Sequence, residues 1–164
     1  MTKGIEVKVL IGLICLVAVI AADQLSKYWV LNVFLADQAG VRFGEYFNVV
    51  RAWNTGVSFS MLNNYGKGGA IALSVLAIGI VAMLLYWLKS EKNKLIQAAL
   101  GLIMGGALGN VIDRVFYGAV FDFLDFHIAD SHWPAFNVAD SCICIGATII
   151  VLQAVVAQFK NKEK

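Results

Sequence analysis

The sequence has a single proline, Pro134, and no serine- or glycine-rich segment that could act as a linker. We therefore expect one domain covering residues 1–164. The net charge is only +2 and the basic residues occur in small clusters, which argues against nucleic-acid binding.

Three cysteines cannot all pair, and each lies in an apolar stretch. Cys15, Cys142 and Cys144 are therefore predicted to be buried free thiols.

Charged residues are also scarce, since they make up 15% of the chain while hydrophobic residues make up 60%. Soluble domains typically contain about 45–50% apolar and about 25% charged residues. With a mean hydropathy of +0.75, the chain is predicted to be an integral membrane protein. Four apolar stretches approach the roughly 20 residues that a membrane helix needs: about 9–30, 69–88, 95–116 and 138–159.

The first of these stretches has two interpretations. Lys3 and Lys8 precede an apolar core that ends in small residues, which is also typical of a cleavable signal peptide. Apolar residues resume after Asp23, however, which favours an uncleaved span. Asp23 and Lys27 are four positions apart and therefore lie on one face of a helix, where they can form an ion pair or serve a site.

Basic residues are distributed unevenly between the two sides of the predicted bundle. Eight of the 13 Lys and Arg residues lie in the N-terminal segment, in the connection between the second and third spans, and in the C-terminal segment. An excess of Lys and Arg marks the cytoplasmic side of a membrane protein. Both termini are therefore predicted to be cytoplasmic, and the longer loops, 31–68 and 117–137, are predicted to face outward.

The first outer loop has the composition of a small β-sheet. The stretch 41–62 is rich in Val, Phe, Tyr and Trp and contains turn-forming glycine and asparagine, which predicts two or three short strands. Aromatic side chains collect at the boundary between membrane and water. Phe47, Trp53 and Phe59 therefore favour a sheet that rests on the membrane surface.

Two aspartates are the first candidates for chemistry, since ionisable residues inside membranes are usually functional. Asp122 follows the third span and Asp140 opens the fourth, so both carboxylates reach the same membrane depth. Two adjacent carboxylates cannot both ionise easily, so the pair can share acid and base roles toward a water molecule. In the alternative interpretation, Asn137 or Asp140 simply caps the fourth helix. The helix N-terminus favours an ionised Asp140, which makes it the candidate base.

Other interpretations use residues of the same outer side. One is a metal site, although its spacing matches no known metal-binding motif: Asp122, Asp125, His127, Asp130 and His132. Cys142 and Cys144 are candidate nucleophiles, but neither has a base nearby in the sequence. Asp113 and Arg114 can form a structural ion pair within the membrane. A transporter fits poorly, because the acids lie near one face and four spans are few for alternating access.

Five short motifs occur together in a characteristic order: DQLSK (23–27), NTGVSF (54–59), GNVIDR (109–114), FDF (121–123) and FNVADS (136–141). In these motifs, in length and in the number of spans, the chain resembles the lipoprotein signal peptidases, the type II signal peptidases of bacterial inner membranes. The resemblance covers essentially the whole chain. It implies an all-α integral membrane fold with four transmembrane helices, a small extracytoplasmic β-sheet called a cradle in the first outer loop, and an extracytoplasmic helix.

The resemblance also implies roles for individual residues. Asp122 and Asp140 match the two catalytic aspartates of the family. The positions implied to bind the substrate are Asn54, Gly56, Asn110, Arg114 and Asn137. Those assigned to the architecture of the site are Asp23, Lys27 and Asp113.

The activity implied by the resemblance is that of an intramembrane aspartic endopeptidase. It removes the signal peptide from diacylglyceryl-modified prolipoproteins by cutting before the lipidated cysteine, and it needs no metal or organic cofactor. The expected partners are these substrates, membrane lipids and cyclic peptide inhibitors of the globomycin type. The chain is expected to act as a monomer in the bacterial inner membrane, with its active site near the outer face. A non-enzymatic role, as a small transporter subunit or an assembly factor, is the alternative.

Overall fold

The computed structural model describes residues 3–56 and 66–162. Four long helices dominate this part of the chain: α1 (Lys3–Trp29), α2 (Gly66–Ser90), α3 (Lys94–Tyr117) and α4 (Val138–Lys162). Four helical segments are long and apolar enough to cross a membrane: Val9–Phe34, which runs past the end of α1, Gly68–Ser90, Lys94–Tyr117 and Val138–Lys160. The prediction of four spans is therefore confirmed. The first span ends later than expected, because a π-helical turn at Val30–Phe34 continues α1.

Helix α3 lies at the centre of the bundle. Its most apolar stretch is 56% buried inside the protein, whereas the corresponding value for the other spans is 22% or less. Glycines allow the neighbouring helices to approach it closely. A Cβ atom at Gly105 would lie 2.7 Å from the carbonyl oxygen of Leu16 in α1, and one at Gly106 would collide with the carbonyl oxygen of Ala139 in α4. Small residues are typical of helix contacts in membranes, where packing rather than hydrophobic burial drives association.

A four-stranded antiparallel sheet joins the two outer loops. Its strands follow the order β1 (Gly40–Phe43), β2 (Phe47–Asn54), β3 (Val120–Ile128) and β4 (Ser131–His132). In the register of β2 and β3, Asn48 pairs with Asp125 and Ala52 pairs with Asp122. The strands expected in the first outer loop are present. The second outer loop, 117–137, supplies the other half of the sheet, which was not predicted from the sequence.

The sheet is anchored to the end of the helix bundle. Where they meet lies a cluster of buried apolar side chains: Val30, Leu35, Val49, Phe121 and Phe123. Arg51 of β2 stabilises this contact between the sheet and the helix bundle. Its Nη2 atom donates to the backbone carbonyls of Leu31, Leu35 and Ala36 at 2.8, 2.6 and 2.8 Å. Carbonyls at the end of a helix lack internal donors, so this arginine caps the end of the first span and fixes the sheet that carries Asp122.

Two expectations fall on residues outside those the structure describes. Phe59, and any third strand reaching residue 62, belong to the stretch 57–65, which is not described. The extracytoplasmic helix implied by the resemblance does not occur within residues 3–56 and 66–162.

The three cysteines are free thiols, as predicted, but their predicted burial is wrong. Cys15 and Cys142 are half-buried and Cys144 is exposed. Apolar side chains of a membrane span need not be buried in the protein interior, so an apolar sequence around Cys144 does not indicate a buried side chain.

Candidate active site

Asp122 and Asp140 meet at one site although they come from different elements. Asp122 lies on β3 with 2% of its surface exposed, and Asp140 lies in the first turn of α4. Asn137 connects them. Its Nδ2 donates to Oδ1 of Asp122 at 2.7 Å, and its backbone N–H donates to Oδ2 of Asp140 at 3.3 Å. The structure therefore brings together the two carboxylates that the sequence analysis paired.

The same asparagine caps α4. Oδ1 of Asn137 accepts a hydrogen bond of 2.9 Å from the backbone N–H of Asp140, whose side chain accepts one from the backbone of Asn137 in return. This reciprocal pattern is a capping box. The backbone N–H of Ala139 donates at 3.0 Å to Asp23 of α1. The capping interpretation is confirmed for Asn137, and it does not compete with the pairing, since the cap itself orients the carboxylate of Asp140.

Two further asparagines donate to the aspartates. Asn110 donates from Nδ2 to Oδ1 of Asp140 at 2.8 Å, and Asn54 donates from Nδ2 to Oδ2 of Asp122 at 3.2 Å. Oδ1 of Asn54 accepts a hydrogen bond of 3.1 Å from the backbone N–H of Gly56, which holds the side chain at the end of β2. The amides thus surround both carboxylates with donors.

The surroundings of Asp122 change its acidity. Its pKa is raised from 3.8 to about 7, chiefly by burial and next by the negative charge of Asp140. Hydrogen bonds from Asn54 and Asn137, and the charge of Lys27, partly oppose this increase. Asp122 therefore exchanges a proton near neutral pH, which a carboxyl group needs if it is to act as an acid there.

Lys27 is buried between two carboxylates. Its Nζ lies 2.8 Å from Oδ2 of Asp23 and 2.8 Å from Oδ2 of Asp113, and it donates to Oδ1 of Asn110 at 3.2 Å. The predicted pairing of Asp23 with Lys27 is therefore confirmed. Because an ammonium group only donates, it fixes the amide of Asn110 with its oxygen toward Lys27 and its nitrogen toward Asp140. The ion network thus sets the direction of a hydrogen bond at the site.

Gln24 belongs to the same network and was missed by the sequence analysis. Its Nε2 donates to Asp23 at 3.1 Å, to Asp113 at 3.0 Å and to the carbonyl oxygen of Gly109 at 3.2 Å. Asp113 also accepts a hydrogen bond of 3.0 Å from the backbone N–H of Phe121, next to Asp122 on β3. The position of Gln24 inside the DQLSK motif was an available signal, but a neutral side chain offers no electrostatic reason to select it.

The predicted ion pair between Asp113 and Arg114 is wrong. Consecutive helical residues project about 100° apart, so Asp113 turns toward Lys27 while its neighbour turns toward the cleft described next. Nη1 of Arg114 lies 3.5 Å from the carbonyl oxygen of Asn110. Its Nε has no hydrogen-bond partner among the described residues. Because Arg114 lines the cleft and only one of its N–H groups has a partner among the described residues, the guanidinium group can donate to a ligand there.

A cleft of about 670 Å³ opens beside the aspartates. Its polar end is lined by Asn54, Gly56, Asn110, Arg114, Asp122 and Asp140. Its apolar part lies between α2, α3 and α4 and is lined by Leu73, Leu76, Ile80, Ile103, Ala107 and Ile143. Residues 133–136 form the rim next to α4. Asn137 is fully buried behind the aspartates and does not line the cleft. The cleft therefore combines a polar end with a long apolar groove.

The other interpretations of the outer residues find no support in the geometry. Within residues 3–56 and 66–162, no group of three His, Cys, Asp or Glu side chains is arranged to bind a metal ion. Asp122 faces the cleft, whereas Asp125 contacts His132 at 2.9 Å on the outer sheet. Both histidines lie on the outer sheet, where Nδ1 of His127 contacts the carbonyl oxygen of Ala129 at 3.2 Å. Within the described residues, neither histidine forms a hydrogen bond with Cys142 or Cys144, so the cysteines have no base.

Comparison with known proteins gives consistent matches. The family model described as "Signal peptidase (SPase) II" matches residues 15–156. A lipoprotein signal peptidase of Shewanella loihica is 42% identical over 88% of this chain and 85% of its own. One of Paraburkholderia phymatum is 46% identical over 82% of this chain and 81% of its own. A solved structure described as a bacterial membrane enzyme, determined by the in meso method, has a TM-score of 0.80 at 30% identity and covers 93% of this chain and 92% of its own.

Proposed function

This chain belongs to the signal peptidase II family of aspartic endopeptidases, a family of multi-pass membrane proteins that remove signal peptides from prolipoproteins, and from that membership we propose that Asp122 and Asp140 carry out the cleavage. The observation that supports this assignment most strongly is that Asn137 hydrogen-bonds to both carboxylates at the polar end of the cleft. We further propose that residues 1–164 form a single peptidase domain.

The proposed reaction consumes one water molecule, and each aspartate gives up one proton and takes up one proton. Asp140, at the helix N-terminus and with donors on both oxygens, is the base that takes a proton from water. Asp122, whose pKa is about 7, is the acid that donates to the carbonyl oxygen of the scissile bond. The resulting tetrahedral diol collapses when Asp122 takes back a proton and Asp140 delivers the other to the leaving nitrogen. The C–N bond then breaks, and the two products carry a carboxylic acid and an amine.

The two ends of the cleft fit the two parts of a lipidated substrate. A helical signal peptide must unwind at the scissile bond, and its free backbone groups then need partners inside the membrane. Asn54, Gly56 and Arg114 line the polar end and are proposed to supply them. The apolar groove is proposed to hold the acyl chains of the diacylglyceryl group, because its surface is mostly hydrocarbon.

Within the same proposal, Asn110 and Asn137 act mainly by orienting the aspartates, since both amides donate to a carboxylate. Asp23, Lys27 and Asp113 hold these asparagines and the helix ends in place. No metal or organic cofactor takes part in the proposed reaction, because the two carboxyl groups supply both the acid and the base.

The setting proposed for the reaction is the outer side of the bacterial inner membrane. The excess of Lys and Arg on the opposite side supports cytoplasmic termini. The natural partners are diacylglyceryl-prolipoproteins and the surrounding lipids, and cyclic peptides of the globomycin type would compete for the same cleft. All proposed site residues come from one chain, so a monomer suffices.

The test is cleavage by the purified protein in detergent, with a metal chelator present. Two synthetic prolipoproteins would differ only in the diacylglyceryl group on the cysteine. We expect cleavage before the lipidated cysteine, with the unlipidated peptide cleaved far more slowly. Absence of cleavage would favour the non-enzymatic alternative, and cleavage that stops with the chelator would exclude the two-carboxylate mechanism.

A further inference from the structure

A second cavity, of about 520 Å³, lies on the outer sheet. It is lined by Tyr46, Phe126, His127, Ile128, Ser131, His132 and Trp133. Trp133 lines this cavity and the active-site cleft alike, so the two spaces are neighbours across one side chain. A peptide substrate that leaves the active-site cleft past Trp133 would therefore enter the second cavity.

His127 lines this cavity and has one ring nitrogen without a hydrogen-bond partner among the described residues. The residue is only 7% exposed, and its Nε2 has no partner within the part of the chain that the structure describes. Its Nδ1 lies 3.2 Å from the carbonyl oxygen of Ala129, which can only accept. Nδ1 must therefore carry the hydrogen, and Nε2 of the neutral imidazole carries a lone pair. A buried acceptor without a donor is costly, and a ligand that supplies an N–H would satisfy it.

The walls of the cavity are held rigidly. The ring of His132 stacks on that of His127 with centroids 4.8 Å apart. Nδ1 of His132 contacts both carboxylate oxygens of Asp125, at 2.9 and 3.0 Å. Asn48 of β2 donates to the same carboxylate at 2.8 Å. Imidazole and aromatic rings held by these contacts therefore line the cavity, and such surfaces suit an extended peptide with its N–H groups and side chains.

We propose that this cavity binds the mature segment of the substrate, the residues that follow the lipidated cysteine, and that Nε2 of His127 accepts a backbone N–H from that segment. The inference rests on the proposed function, which places the scissile bond in the adjoining cleft. The mature segment is the part of the substrate that continues outward from the cut, and Trp133 is the side chain it would pass. Substrates with different sequences after the cysteine would then differ in their rates of cleavage.

The experiment compares two lipidated substrates with the same signal peptide. One ends directly after the cysteine, and the other continues for about eight residues, enough to cross the cavity when extended. We expect the wild-type protein to show a higher kcat/KM for the longer one. His127→Asn keeps a donor for the carbonyl of Ala129 but removes the acceptor. This variant should lower the ratio of kcat/KM for the longer substrate to kcat/KM for the shorter one. The expected decrease is roughly 3- to 10-fold, the effect of one hydrogen bond.

Ser131→Trp is the second variant, because this exposed residue lines the cavity and a large ring there would fill it. It should abolish the preference for the longer substrate even if His127→Asn fails to fold. The proposal is overturned if the wild-type ratio is one, or if both variants keep the wild-type ratio. Failure of the wild-type protein to cleave either substrate would refute the proposed function instead.

Discussion

Nδ2 of Asn137 lies 2.7 Å from Oδ1 of Asp122, while the opposite side of the same amide caps the helix that carries Asp140. One fully buried side chain therefore performs a structural and a chemical task. The two tasks use different atoms, since the cap needs an acceptor and the contact with Asp122 needs a donor. Substitutions at this position can separate them.

Asn137→Ala should lower both stability and activity. Loss of an N-cap typically costs about 1 kcal/mol of unfolding free energy. Asn137→Ser is the matched control, because serine also caps helices but is too short to donate to Asp122. We expect the serine variant to regain most of the stability while its kcat stays roughly 10- to 100-fold below wild type. Asp122 becomes charged once it has donated its proton, and a hydrogen bond to a charged group is worth about 1.5–3 kcal/mol. Recovery of full activity by serine would show that the contact with Asp122 is dispensable.

The raised pKa of Asp122 makes a prediction about stability. In the folded protein the pKa is about 7 and in the unfolded chain about 3.8, so the folded state holds the proton more tightly between these values. Asp122 therefore lowers the free energy of unfolding of the wild-type protein by an increasing amount as the pH rises from about 4 to 7. Asp122→Asn does not titrate. We expect the Tm difference, variant minus wild type, to become more positive across this range, and a difference that is constant or falls with pH would contradict the assignment.

The helices and the ion pair on α1 were predictable from the sequence because they depend on local patterns. A run of apolar residues marks a span wherever it lies, and residues four apart, such as Asp23 and Lys27, share a helix face. The cap at Asn137 was predictable for the same reason. The roles of Asn54 and Asn110 came from motif resemblance, and their contacts with the aspartates became visible only in the fold.

What the sequence analysis missed depends on contacts between distant segments. The aromatic-rich stretch 121–126 is compatible with a strand, but nothing local shows that this strand pairs with Phe47–Asn54. Adjacency in sequence suggested that Asp113 pairs with Arg114, whereas the partner of Asp113 is Lys27, on another helix. Gln24 is recognisable as a site residue only once the two carboxylates it bridges are placed beside it.

Lys27→Met should destabilise the protein strongly. The substitution keeps an unbranched side chain only one atom shorter but leaves two buried carboxylates, Asp23 and Asp113, without their shared cation. Breaking a buried ion pair in this way typically costs about 3–5 kcal/mol. Lys89→Met, at an exposed lysine near the end of α2, is the control and should have little effect. The comparison requires unfolding measurements in detergent, and similar stability of the two variants would exclude a structural role for the network.

Gly105→Ala should weaken the packing of α1 against α3. The new methyl group would lie 2.7 Å from the carbonyl oxygen of Leu16 and 2.8 Å from Cβ of Val19, so the two helices must separate. Overpacking of this kind typically costs about 1–3 kcal/mol. At Gly79 of α2 a Cβ atom would meet nothing within 4 Å, so Gly79→Ala should leave the Tm unchanged or raise it. Equal effects at the two positions would argue against the close helix contact.

The catalytic assignment of Asp122 and Asp140 is tested most directly by measuring kcat for Asp122→Asn and Asp140→Asn on a diacylglyceryl-prolipoprotein. Each variant keeps a side chain of nearly the same shape, and unfolding in detergent would verify that it is folded. Because each carboxyl group transfers a proton in the proposed reaction, each substitution should lower kcat by at least about 100-fold. Near-normal turnover by either folded variant would contradict the assignment of these two residues as the catalytic pair.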